Sequence, residues 1–199
     1  MFFAPAGVKM DMMSDMVHLV GISGSLRKES LNTKLLHQLS QFLPNDTAFE
    51  ILSIAGLPLY NADLDIPASE DRPAPVNHFR QLLAKADGIV IVSPEYNYSI
   101  PGGLKNAIDW ASRGDDAPLL GKPVALMGAT PGLWGTVRMQ QAFLPVFQYL
   151  GMKPVHKPEV LMAQANTKFD EKGNLNDEST KNILRKKLAA LREMIMKSR

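Results

Sequence analysis

Apolar residues along this chain alternate between two patterns: short, largely apolar runs, and stretches in which they recur every three or four positions. The runs at 16–22, 49–54, 88–92 and 124–127 are rich in branched aliphatic residues and too short for helices. They read as strands, and the uninterrupted run at 88–92 reads as one buried on both faces, the pattern of a parallel sheet. A fifth strand is expected within 153–162. Pro154 and Pro158 place it at an edge, because proline cannot donate to a ladder. Between these runs, Leu35, Leu36, Leu39 and Phe42 share one helical face. Phe79, Leu82, Leu83 and Ala86 mark a second helix, and Leu104, Ala107, Ile108 and Ala111 a third. Met139, Phe143, Phe147 and Leu150 mark a fourth; Ile183, Leu184, Leu188, Leu191 and Ile195 mark the last. Ser30 or Asn32 is the natural N-cap of the first helix.

Strands alternating with helices indicate one doubly wound α/β domain over residues 16–199, a five-stranded parallel sheet with helices on both faces. Right-handed crossovers and a reversal after the first strand give strand order 2-1-3-4-5. The reversal sets the loop after the first strand beside the loop after the third. One cleft is then lined by residues 23–32, 94–103 and 128–135, at the carboxyl edge where open α/β sheets bind ligands. Residues 1–15 precede any periodic pattern and are expected to lie outside the domain, as a disordered leader or an expression remnant.

Composition narrows the chemistry. With 199 residues, 45% of them hydrophobic, the chain can bury a substantial core. A net charge of +2 and a pI near 8.8 suit small anions but give no footprint for nucleic acid. The absence of cysteine excludes disulfides, thiolate nucleophiles and Cys-ligated metals, and suits a reducing cytoplasm, where the protein is expected. No apolar run reaches the roughly 18 residues of a membrane span. His18, His37, His78 and His156 show no metal-ligand spacing, and the acidic pairs Asp63/Asp65 and Asp115/Asp116 fall in loops without a catalytic pattern. The basic residues of the last helix, Lys187 among them, read as a solvated face. Trp110 reads as packing rather than a stacking platform.

Two stretches carry candidate chemistry. In 24–32, Gly-Ser-Leu-Arg-Lys-Glu-Ser-Leu-Asn, free amides at a helix start, the hydroxyls of Ser25 and Ser30, the Arg27 charge and the Asn32 amide suit an anion such as a phosphate. Neither GxGxxG nor GxxxxGK[ST] occurs, so a dinucleotide Rossmann site and a P-loop are disfavoured. In 93–110, Pro94 ends the central strand and Pro101-Gly102-Gly103 re-aims the chain, leaving Glu95, Tyr96, Asn97 and Tyr98 on a loop above the cleft.

With Gly24-Ser25-x-Arg27-x-x-Ser30-x-Asn32, Pro94-Glu-Tyr-Asn-Tyr98 and Pro101-Gly-Gly-Leu-Lys-Asn-Ala-Ile-Asp-Trp110, the chain resembles the NADPH-dependent FMN reductases of flavodoxin-like fold, in particular the bacterial chromate/quinone reductase branch. The resemblance implies that Ser25, Arg27, Ser30 and Asn32 hold the FMN phosphate. It also implies that Pro94, Glu95, Tyr96 and Asn97 border the isoalloxazine. Thr130 lies on the loop that closes over the flavin in relatives; many have a Ser-rich stretch there, where this chain has Thr-Pro-Gly. One FMN per subunit is implied, with NADPH or NADH as co-substrate and a homodimer or homotetramer as assembly.

Hydride transfer needs no protein nucleophile, so no catalytic residue is assigned: the cofactor carries the chemistry and the protein orients it. Backbone amides of the 128–135 loop are expected to stabilise negative charge near flavin N1. A ping-pong cycle is expected, with quinones, azo compounds or metal oxyanions such as chromate as acceptors. Tyr98 is a candidate acceptor contact, and Arg113 or Arg138 a candidate cation for an anionic acceptor. The alternatives are a flavodoxin-type electron carrier, which should be acidic where this chain is not, and a non-catalytic flavin-binding sensor.

Overall fold

A computed structural model describes residues 16–65 and 72–199; the expectation for residues 1–15 lies outside them. The branched aliphatic runs form β1 (Val17–Ser23), β2 (Thr47–Leu52), β3 (Gly88–Val92) and β4 (Pro123–Ala129), all parallel. The sheet has the order β2-β1-β3-β4-β5, which is the flavodoxin-like arrangement. Its fifth position corrects the expectation of one strand. β5 (Lys153–Pro154) and β6 (Leu161–Met162) are separate two-residue strands, and both pair with β4. Val155 still donates to Val124, but the chain then leaves the ladder and returns where Gly128 donates to Val160. Two prolines within five residues remove the donors a continuous strand would need.

Every residue of β3 is buried, and its side chains divide by parity between two cores. Ile89 and Ile91 join Val20, Ile22, Val124 and Leu126 under α2 (Ala74–Lys85), α3 (Gly102–Ala111) and α4 (Val137–Tyr149). Val90 and Val92 join Val17, Leu19, Ala125 and Met127 under α1 (Leu31–Gln38) and α5 (Glu178–Ser198). The all-apolar strand pattern thus reflects a sheet covered on both faces.

Ser30 is the N-cap of α1, its Oγ accepting from Thr33 N at 3.3 Å. On α5, Leu184, Leu188, Leu191 and Ile195 are buried as expected, but Ile183 is 38% exposed. Lys187 reverses its expected place on a solvated face: it is 2% exposed, and its Nζ donates to the Val155 carbonyl. Position 187 lies three after Leu184, on the inward stripe, so its methylenes pack and its ammonium must find a buried acceptor.

Candidate functional site

At the carboxyl edge, β1, β3 and β4 end close together because two glycines allow it. A Cβ on Gly24 would lie 2.2 Å from Ser93 Oγ, and one on Gly128 would lie 2.1 Å from Thr136 Oγ1 and 2.4 Å from Ser93 O. Gly24 N donates to Val92 O at 2.9 Å, so the first loop leaves β1 against the end of β3. Three segments meet there: the turn 24–30, the central loop 93–101 and the loop 129–136.

The turn presents donors inward. Ser25 Oγ accepts from Arg27 N at 3.3 Å and Ser30 Oγ accepts from Thr33 N, so each hydroxyl has its O–H proton left to donate. The N–H groups of Leu31 and Asn32, in the first turn of α1, have no partner among the described residues. The exposed Arg27 is steadied by a bond from Nη2 to Glu29 O at 2.6 Å. Two hydroxyl donors, two free amides, a helix start and a guanidinium suit a phosphate monoester. The Asn32 side chain is engaged elsewhere, donating to Ala129 O and accepting from Ala129 N.

The central loop turns back on itself between Tyr96 and Ser99, whose N–H and C=O groups bond reciprocally at 3.1 and 2.9 Å. Its middle residues Asn97 and Tyr98 have φ of 49° and 65°, the left-handed region required at both centres of a primed hairpin turn. The turn holds Tyr96 and Tyr98 outward, 47% and 69% exposed. Glu95 points the other way and caps α4, whose own N-cap residue Thr136 makes no side-chain cap. Its Oε2 accepts from Arg138 N at 2.9 Å and Met139 N at 3.1 Å, and its Oε1 lies 3.4 Å from Arg138 Nη1. Arg138 in turn sits 4.0 Å over the Tyr98 ring and 5.7 Å from that of Trp134, which is 71% exposed. Glu95, Tyr98, Trp134 and Arg138 are therefore one connected cluster at the mouth of the cleft, and Pro94 precedes it in the chain.

Arg113 is set apart from it. It follows the far end of α3, on the order of 15 Å along that helix from the central loop. There it stacks 5.7 Å over Tyr60 and borders a groove of about 270 Å³ with Asp109 and Tyr149. In the third loop the amides of Gly128, Ala129 and Thr130 are already bonded, to Val160 O, Asn32 Oδ1 and Met162 O. Thr130 Oγ1 accepts from Gly132 N at 3.3 Å. The amides of Leu133 and Trp134 remain without partners among the described residues.

Sequence reasoning passed over Ser93, Thr136 and Asn106. Ser93 and Thr136 are 0% and 1% exposed and form the floor against which Gly24 and Gly128 pack; a lone hydroxyl residue gives no periodic signal. Asn106 stands inside the 101–110 motif. It holds the 58–60 segment, donating to Pro58 O at 2.9 Å and accepting from Tyr60 N at 2.7 Å. Trp110 is fully buried and donates from Nε1 to the same Pro58 carbonyl, a packing role.

A sequence model of the NADPH-dependent FMN reductase family matches residues 17–167. An NAD(P)H-dependent FMN reductase of Pseudomonas aeruginosa is 39% identical over 187 residues, covering 94% of this chain and 100% of that protein. A quinone reductase of Escherichia coli K12 is 40% identical over 187 residues, covering 93% and 98%. Among solved structures, the flavoenzyme FerB of Paracoccus denitrificans, an NAD(P)H:(acceptor) oxidoreductase, superposes with a TM-score of 0.81 at 32% identity, covering 92% and 98%.

Proposed function

The chain belongs to the NADPH-dependent FMN reductase family, an oxidoreductase family, and from that premise we propose that it binds FMN and transfers two electrons from NADPH or NADH to small oxidised acceptors, quinones first. The carrying observation is the set of unsatisfied donors at residues 25–32, which matches a phosphate monoester in charge and hydrogen-bond sense. Ser25, Ser30, Arg27 and the Leu31 and Asn32 main-chain amides hold the phosphate. Pro94, Glu95, Tyr96 and Asn97 border the ring through the central loop, and Thr130 supports the loop opposite.

When bound, FMN supplies hydride acceptance and onward electron delivery. The chain's own part is orientation. The primed turn at Asn97–Tyr98 fixes the height of Tyr96 and Tyr98, and Glu95 ties that turn to the start of α4. The amides of Leu133 and Trp134 are among those free to meet developing negative charge, whereas those of Gly128 to Thr130 are not. For anionic acceptors such as chromate the cation is Arg138, which shares the cluster with Tyr98; Arg113, at the far end of α3, does not. The proposed cycle is ping-pong: the nicotinamide and the acceptor would share one face of the site, so that NAD(P)⁺ would have to leave before the acceptor enters. Quinones come first because relatives about 40% identical are quinone reductases; azo compounds and metal oxyanions are further acceptors of the same kind. We propose a homodimer or homotetramer as the working assembly.

Purified protein is expected to be yellow, to bleach anaerobically with NADPH or NADH, and to give parallel double-reciprocal lines with a benzoquinone. Colourless protein that FMN does not reconstitute would overturn the flavin assignment. Intersecting lines would overturn the ping-pong order.

A further inference from the structure

β4 outlasts β3. The two pair through Val92 and Met127, after which Ser93 N donates to Met127 O and Pro94 carries the chain away. In a parallel ladder, successive residues offer their N–H and C=O to opposite neighbours. Gly128 and Thr130 face the β6 side, donating to Val160 O and Met162 O. Ala129 therefore faces the side that β3 has left, and at 2% exposure its N–H and C=O are cut off from bulk water. The Asn32 carboxamide occupies the vacated rung. Its Nδ2 donates to Ala129 O at 2.9 Å and its Oδ1 accepts from Ala129 N at 2.8 Å, across 97 residues of chain. A carboxamide carries the donor and acceptor of a peptide group in one plane, which a serine or a carboxylate does not. Asn32 is itself 3% exposed and sits in the first turn of α1, so the rung is rigid at both ends.

We infer that Asn32 is a positioning residue. Its side chain stands in for the missing strand, joins the phosphate-binding turn to the root of the 129–136 loop, and sets the width of the flavin crevice. Its contribution to the phosphate itself comes from its main-chain N–H. This rests on the flavin reading above but makes a separate claim: losing the side chain weakens binding of the whole ring system, not selectively of the phosphate.

The test compares FMN with riboflavin, which lacks the phosphate, by fluorescence titration of the full-length apoprotein. In Asn32→Ala both affinities are expected to fall by the same factor, about tenfold or more, as two buried backbone groups lose their partners. The riboflavin-to-FMN ratio of dissociation constants then stays within about twofold of wild type, whereas Arg27→Ala and Ser25→Ala collapse that ratio by about tenfold as donors to the charged phosphate are lost. A collapsed ratio in Asn32→Ala with riboflavin affinity intact would overturn the inference. Wild-type protein labelled with ¹⁵N tests the rung without any substitution. The Asn32 side-chain protons are expected to exchange slowly in the apoprotein. On adding inorganic phosphate, the main-chain amides of Leu31 and Asn32 shift while the side-chain signal holds still. Fast side-chain exchange, or a side-chain shift matching the main-chain ones, would overturn it. If wild type binds neither flavin, the flavin reading fails, and the exchange measurement decides the rung alone.

Discussion

Lys187 shows what burial does to one ionisable group. At 2% exposure, desolvation pushes its ammonium down to about 8, against a weaker opposing pull from Glu159. Below about pH 8 the folded and unfolded chains both hold this proton, and the burial penalty is present in full. Between about 8 and the unfolded value near 10.5, the folded amine is neutral while the unfolded chain keeps its proton, so stability rises with pH across that window. The rise is on the order of 3 kcal/mol, and Lys187→Met is expected to lack it. Urea midpoints measured from pH 7 to 10 for both proteins check this; parallel curves would mean that another group titrates. The spacing from Leu184 places position 187 on the inward stripe, but a lysine among six other basic residues of the last helix reads as solvated.

α4 illustrates an element completed from outside itself. Its periodic apolar face was legible, and Met139, Phe143 and Phe147 are buried as that face requires. The cap was not, because Glu95 reaches it from 43 residues away. Removing the carboxylate in Glu95→Ala leaves two first-turn amides open and releases the Arg138 side chain from one of its three contacts. The expected loss is about 1–2 kcal/mol of stability, with a raised KM for anionic acceptors. Glu95→Gln, which keeps an acceptor oxygen, is expected to recover most of the stability. Denaturation midpoints and acceptor kinetics measured together separate the two effects; an unchanged midpoint in Glu95→Ala would refute the cap. The last strand makes a similar point in reverse: its prolines signalled an edge, but that it would break into β5 and β6 depended on β4 offering backbone groups at both places.

Across the whole molecule, charge is gathered where three segments converge behind the sheet. Arg72 Nε meets Asp65 at 2.6 Å with both side chains almost wholly buried, and Arg72 Nη1 and Arg80 Nη2 hold Asp116 at 3.0 and 2.7 Å. Arg80 also donates to Trp110 O at 2.7 Å, so α2, the end of α3 and the segment before residue 65 are locked together. Arg72→Met strands the Asp65 carboxylate in the interior and is expected to cost about 3–5 kcal/mol, the usual penalty for half of a buried pair. Chemical denaturation measures it directly, and a loss below about 1 kcal/mol would show the pair to be solvated, as exposed pairs are. Asp116 reads from the sequence only as half of an acidic loop pair; its partners are Arg80 on α2 and Arg72 just before that helix.

Strand, helix and crevice were determined by the chain order of apolar residues alone. Burial on both faces writes itself into consecutive residues, and the right-handed crossover then leaves few arrangements for the sheet. The motifs at 24–32 and 93–110 likewise placed the turn proposed to bind phosphate and the central loop at its carboxyl edge. Only the tertiary structure decided what Asn32, Glu95, Arg113 and Lys187 do. Each answers to backbone groups or rings left unpaired by distant segments, such as the Ala129 rung that opens when β3 turns away, and no local pattern records where two strands will part.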